Sequence, residues 1–234
     1  MWPKSRGLIL VGLLVLVFAP AYATTITTYS TLTDWQAATS SGYQTVDFEG
    51  LTAPGTSTYY YGGVSADGVQ FIGYTSSGGS SIQVIDTSFS SWYNFGTGDA
   101  LMQDMDRPNG GALPYIHIVL PAAITALGMD LFTVSPSALS YTITVAGNPY
   151  TVPTNPLPTT AFWGLTSDTP ITSVDLTLAG TTYNGSSHAL LDNFRFGTAT
   201  GGSDPESAPE AGTYLLIGSG LIGLVLFRKR AQRE

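Results

Sequence analysis

Through the middle of the chain, apolar and polar residues alternate in short runs. Turn residues interrupt them at intervals of about eight to twelve residues, the pattern of small strands that bury one face. The runs at 69–74, 82–85, 115–120, 124–132, 139–145, 150–152, 162–165, 174–178 and 190–196 predict strands, with shorter ones at 25–29, 44–48 and 100–102. One helix is predicted, at 31–38. Thr31 can cap it, Asp34 follows three residues later, and Leu32 and Trp35 fall on one side as packing residues. Residues 51–63 read as a loop of Pro, Gly, Thr and Tyr, residues 87–98 as a polar loop rich in aromatics, and Asn109-Gly110 as a turn. About ten short strands joined by turns predict an all-β fold, a jelly-roll-like β-sandwich over residues 24–197.

The two ends break this pattern. Lys4 and Arg6 precede an apolar stretch at 7–18, and Ala21-Tyr22-Ala23 presents small residues beyond it, so residues 1–23 read as a signal peptide cut after Ala23 by signal peptidase. Residues 198–208 are a Gly, Ser and Pro linker. An apolar run follows at 214–227, closed by Arg228, Lys229 and Arg230. As a helix it rises roughly 21 Å, against about 30 Å of hydrocarbon, and the basic stop can snorkel to pin one end. The expectation is a single transmembrane helix at 213–227 with its basic end in the cytoplasm.

Pro209-Glu210-Ala211, the short span and the basic stop together resemble the PEP-CTERM sorting segment of bacterial exosortase substrates, whose usual third residue is proline where this chain has Ala211. The resemblance covers residues 209–234. It implies exosortase as a processing partner, transient anchoring in the inner membrane through the C-terminal helix, and then release to the cell surface or the extracellular space.

Charge narrows the partners. The chain carries 8 Lys and Arg against 16 Asp and Glu, and between residues 24 and 211 the only cations are Arg107 and Arg195. So acidic a central segment excludes nucleic acid as a partner. With no cysteine, an exported domain must rely on its core or on a bound metal.

Candidate chemistry is sparse. Period-two alternation puts Asp192 on one face with Leu190, Phe194 and Phe196, where a carboxylate needs a partner. A β-bulge that turns Asp192 outward to bond a loop amide is the alternative. Asp99, Asp104 and Asp106 lack EF-hand spacing and read as a solvated acidic loop. His117 sits in an apolar strand as a packed or edge residue, and His188 follows Ser186-Ser187 without the glycine elbow of a serine hydrolase. Trp92, Tyr93 and Phe95, with Tyr59, Tyr60 and Tyr61, read as loop aromatics that either stack on sugar rings or anchor their loops. Trp92, Tyr93 and Tyr60 are the candidate carbohydrate contacts.

Val46-Asp47-Phe48-Glu49-Gly50, Gly68-Val69-Gln70-Phe71, the segment 124–130, Phe162-Trp163-Gly164-Leu165 and Leu190-Leu191-Asp192-Asn193-Phe194 together resemble secreted PEP-CTERM β-sandwich proteins and carbohydrate-binding jelly rolls. That resemblance implies a structural calcium ion shared by Glu49 and Asp192 as the one cofactor. The expected function is a non-catalytic exported surface or matrix protein associated with exopolysaccharide. A polysaccharide-active glycosidase or lyase on the same fold is the alternative, and surface or ice adhesion a third.

Overall fold

A computed structural model describes residues 24–74, 80–93, 96, 98–103, 115–133, 140–156, 159–179 and 189–200. The strands are β1 (Ile26–Tyr29), β2 (Gln44–Val46), β3 (Ser57–Tyr61), β4 (Val64–Ala66), β5 (Val69–Tyr74), β6 (Ser81–Asp86), β7 (Asp99–Gln103), β8 (Tyr115–Thr133), β9 (Ser140–Val145), β10 (Asn148–Pro153), β11 (Asn155–Pro156), β12 (Ala161–Ala179) and β13 (Ala189–Gly197). The helix α1 spans Leu32–Ala37, and a 3-10 turn occupies Ser91–Tyr93.

Two long strands organise the molecule. The start of β8 pairs with β5 and with the end of β12, and β9 and β10 extend this front sheet. The end of β8 pairs with β13 and with the start of β12, and β1 extends this back sheet beyond β12. On the far side of β13 lie β7, with β6 and β3 beyond it, and β2. β8 and β12 therefore switch layers, and their mutual register shifts between Thr166 and Ile171 and again before Ser173. Pro121 and Pro170 sit in that corner, where a residue without an N–H breaks no ladder hydrogen bond. The result is an all-β, near-barrel, jelly-roll-like sandwich.

Its core lies between the layers. Phe71 of the front sheet meets Phe194 of the back sheet edge-on at 5.5 Å between ring centroids, and Phe48 packs on Phe71 at 5.1 Å. Ile116, Ile118, Ile143 and Leu176 face Leu127, Met129 and Leu131 in the same buried cluster. Tyr141 is fully buried, and its hydroxyl donates to the carbonyls of Phe132 and Leu190 at 3.3 and 3.2 Å. On the outside of the back sheet, Trp35 of α1 covers Gly164 and Gly128 and donates from Nε1 to the Leu165 carbonyl at 3.2 Å. Thr31 caps α1 by accepting from the Asp34 amide, as the sequence predicts.

Three expectations change. The predicted strands at 115–120 and 124–132 are one strand, β8, bent at its proline, and those at 162–165 and 174–178 are likewise one strand, β12. The loop expected at 51–63 contains β3, which pairs with β6 through all five of its residues. The fold also includes no membrane-crossing helix: among the described residues none is long and apolar enough, and α1, at six residues, rises only about 9 Å. The expected transmembrane sorting helix at 213–227 falls outside the described residues. The architecture is corrected accordingly, and with it the inner membrane as a partner and the transient anchoring that depended on that helix.

Candidate functional site

Alternation along the front sheet sends Ile116, Ile118, Ile143 and Leu176 inward, and their neighbours outward. Strand register aligns those outward neighbours in rows. Ile72, His117, Asp175 and Thr144 stand opposite one another across β5, β8, β12 and β9. The next row runs Tyr74, Tyr115, Thr177 and Thr142. Between the rows is an open hollow of about 490 Å³, lined by Tyr74, Tyr115, His117, Thr144, Asp175 and Thr177.

Two contacts shape the hollow. The Tyr74 and Tyr115 rings stack at 4.7 Å with an interplanar angle of 16°. His117 Nδ1 lies 2.6 Å from Asp175 Oδ1, both side chains being partly exposed. Burial, helped by Tyr74 and by the Asp175 charge, raises the Tyr115 phenol above its ordinary range, so it stays a neutral hydroxyl at physiological pH. The site thus joins an aromatic surface to carboxylate, imidazole and hydroxyl groups. An aromatic body offers an apolar face to a ring, and the polar groups can exchange hydrogen bonds with its substituents. The imidazole and carboxylate also have the geometry of an oriented base; among the described residues the hydroxyls that line the hollow beside them are those of Tyr74, Tyr115, Thr144 and Thr177, and no serine or cysteine is among these.

A second groove, of about 540 Å³, is lined by β1, β10, β11 and the start of β12, including Tyr29, Thr151, Pro153, Asn155 and Phe162. Thr151 pairs in register with Thr142.

A carboxylate group lies apart from both grooves. Asp192 and Asp130 stand opposite in the β13–β8 ladder, and the register shifts between Asp192 and Arg195. This is a β-bulge, with Asn193 at φ 47°. It reverses the expected facing: Phe194 and Phe196 join the core with Leu191, whereas Leu190 packs in a separate cluster with Phe132 and Met102. Asp192 therefore does not share a face with Phe194 and Phe196. Its carboxylate accepts from the Asn193 amide at 2.6 Å and from the Asn193 side chain at 3.0 Å. Arg195 donates to Asp130 at 3.0 Å and to the Asn193 carbonyl at 3.0 Å. Burial pushes the Asp192 carboxyl up to about 7; the Asn193 amide opposes this, the Asp130 and Glu49 charges add to it, and Arg195 offsets part. Glu49 lies close against Gly98 and accepts from the Asp99 amide at 3.2 Å. Gly98 has φ +86°, and a Cβ there would occupy the Glu49 carboxylate.

Glu49 and Asp192 are thus near enough to act on each other electrostatically. Among the described residues no three His, Cys, Asp or Glu side chains gather to hold a metal ion. Tyr60 points inward, packs on the core and donates its hydroxyl to the Leu51 carbonyl. Tyr93 packs on the second apolar cluster and on Phe89, with ring centroids 5.8 Å apart. The Trp92 side chain, His188, the cleavage positions Ala21 and Ala23, the motif Pro209, Glu210 and Ala211, and the basic stop Arg228, Lys229 and Arg230 lie outside the described residues. The sequence alone does not mark the stacked tyrosines and the His117–Asp175 pair as a site. Alternation alone puts Tyr115 with His117 and Asp175 with Thr177, but only the register brings these pairs together.

No protein-family model matches the chain, and no curated protein matches it. Among solved structures it is similar to a family 29 carbohydrate-binding module at 14% identity, covering 66% of this chain and 99% of that one with a TM-score of 0.34. A variant of such a module in complex with cellulohexaose matches at 13% identity, over 61% and 93% of the two chains, with a TM-score of 0.32. The K1 cleaved adhesin domain of Lys-gingipain from Porphyromonas gingivalis matches at 12% identity, over 74% and 98%, with a TM-score of 0.33. These likenesses are too distant to assign a family or a ligand.

Proposed function

We propose that this chain is a non-catalytic, exported polysaccharide-binding protein, and that the outer face of its front sheet is the binding surface. The observation that carries the reading is the Tyr74–Tyr115 stack beside the His117–Asp175 pair, on a regular sheet face with an open hollow. Rigid strands hold these groups, so little ordering cost falls on binding. Export is supported by the leader-like residues 1–23.

The test is affinity electrophoresis of the full chain through gels containing soluble polysaccharides, with reducing-end release measured in parallel. Retardation by at least one polysaccharide is expected, with Tyr115→Ala weakening it about tenfold, equivalent to roughly 1.4 kcal/mol. Unretarded migration on every polysaccharide, or retardation indifferent to Tyr115→Ala, overturns the assignment. Release of reducing ends overturns its non-catalytic part.

A structural calcium ion between Glu49 and Asp192 belongs to the same proposal. Two carboxylates acting on one another are donors of the kind calcium takes, and backbone carbonyls would complete the set. Bound there, the ion would neutralise part of the charge that now raises Asp192.

A further inference from the structure

We infer that the front-sheet site takes an uncharged polysaccharide chain lying across the strands, from Tyr74 to Thr151. This rests on the glycan-binding reading above. The row that begins at the tyrosine stack does not stop at the hollow: Tyr74, Tyr115, Thr177, Thr142 and Thr151 are paired in register across β5, β8, β12, β9 and β10. All five lie on the outer face, since Tyr141, Ile143 and Val152 beside them are buried. Four strand spacings make the row about 19 Å long. That is more than one sugar ring can cover, and it links the hollow to the second groove, which Thr151 also lines. The row places aromatic surface at one end and hydroxyls along the rest. Threonine hydroxyls both donate and accept, which suits a chain of neutral hydroxyls running over them.

The charge of the face sets the class of chain. Asp175 stands beside the row with its side chain 45% exposed, and its partner is His117. None of the five row residues is a cation. Arg195 is engaged with Asp130 on the back sheet, and Arg107, the other Lys or Arg between residues 24 and 211, falls outside the described residues. A polyanion laid on this face would lose water from its own carboxylates, meet Asp175, and gain no fixed positive charge from the described residues in return. A neutral chain pays no such penalty.

Calorimetric titration of the full chain tests both parts. The probes are gluco-, manno- and galacto-oligosaccharides of one, two, four and six units, with oligogalacturonate and oligomannuronate of six units as anionic partners. For at least one neutral series, affinity should rise at least tenfold from two units to six, and both anionic hexamers should bind at least tenfold more weakly than that neutral hexamer. Thr142→Arg, in mid-row on the outer face, should remove the gain from two to six units while leaving the thermal midpoint unchanged. Equal affinity for two and six units, or a Thr142→Arg protein that keeps the gain, overturns the track. An anionic hexamer that matches or exceeds the neutral one overturns the charge class. In either case, binding still sensitive to Tyr115→Ala leaves the glycan-binding reading standing. Failure of every probe to bind removes both.

Discussion

Asp192 shows how one residue's position is settled by its backbone. Strict alternation would put it among phenylalanines, but the bulge at Asn193 turns it to the other face, where it faces Asp130 across the ladder. It remains partly buried, and its carboxyl is raised from 3.8 to about 7. Between those two values the folded protein binds more protons than the unfolded chain, so stability falls as pH rises through that window. Below about pH 4 both states are protonated and the effect vanishes; above about pH 7 the penalty is complete, at roughly 4 kcal/mol or less. Asp192→Asn keeps an acceptor for the Asn193 amide and removes the titration. In chelator, the variant should unfold at a higher temperature than the native protein at pH 8, and the two should converge at pH 4. An equal difference at both pH values would show that the charge of Asp192 is not what costs stability.

At the scale of elements, the short helix and the long strands depend on one another. α1 has only six residues, too few to hold itself as an isolated helix. Trp35 fixes it, seated over the back sheet where Gly164 and Gly128 face each other across β12 and β8. A Cβ at Gly164 would stand 2.7 Å from Trp35 Cδ1 and 3.0 Å from the Phe162 ring. Gly164→Ala should therefore destabilise by about 1–3 kcal/mol, as overpacking does. Denaturant unfolding followed by tryptophan fluorescence measures it; an unchanged midpoint would mean that the indole moves aside freely. The elements themselves were legible unevenly. β5, β9 and β13 announce themselves by alternation. The continuity of β8 and β12 does not, because Pro121 and Pro170 look like breaks until the corner shows that no ladder bond is needed there. β3 was hidden because Tyr59, Tyr60 and Tyr61 give no alternation to read; only Tyr60 turns inward, which pairing with β6 decides.

For the whole molecule, the question is what holds a cysteine-free sandwich closed. The two layers share β8 and β12, and the Phe48, Phe71 and Phe194 rings fill the space between them. The proposed calcium would add a tie between Glu49, early in the fold, and Asp192, in its last strand. A ligand at about a hundred times its dissociation constant stabilises the native state by roughly 2.7 kcal/mol. At pH 8, calcium should therefore raise the thermal midpoint of the native protein by several degrees, and Asp192→Asn should abolish most of that rise. A midpoint indifferent to both calcium and chelator would eliminate the ion.

The sequence by itself determined the all-β class, the positions of most strands, the cap of α1 and the acidic, cysteine-free character of the central segment. Each of these is written in local spacing or in composition, which a single chain carries without reference to its pairing. Tertiary structure alone decided the candidate site. Tyr74 and Tyr115 are separated by 41 residues, and His117 and Asp175 by 58. Alternation tells which face each one takes, but not which strand lies beside it. Non-local hydrogen bonding between β5, β8, β12, β9 and β10 sets that neighbour, and a slip of one residue in any of those pairings would turn a strand's whole outer row into the core.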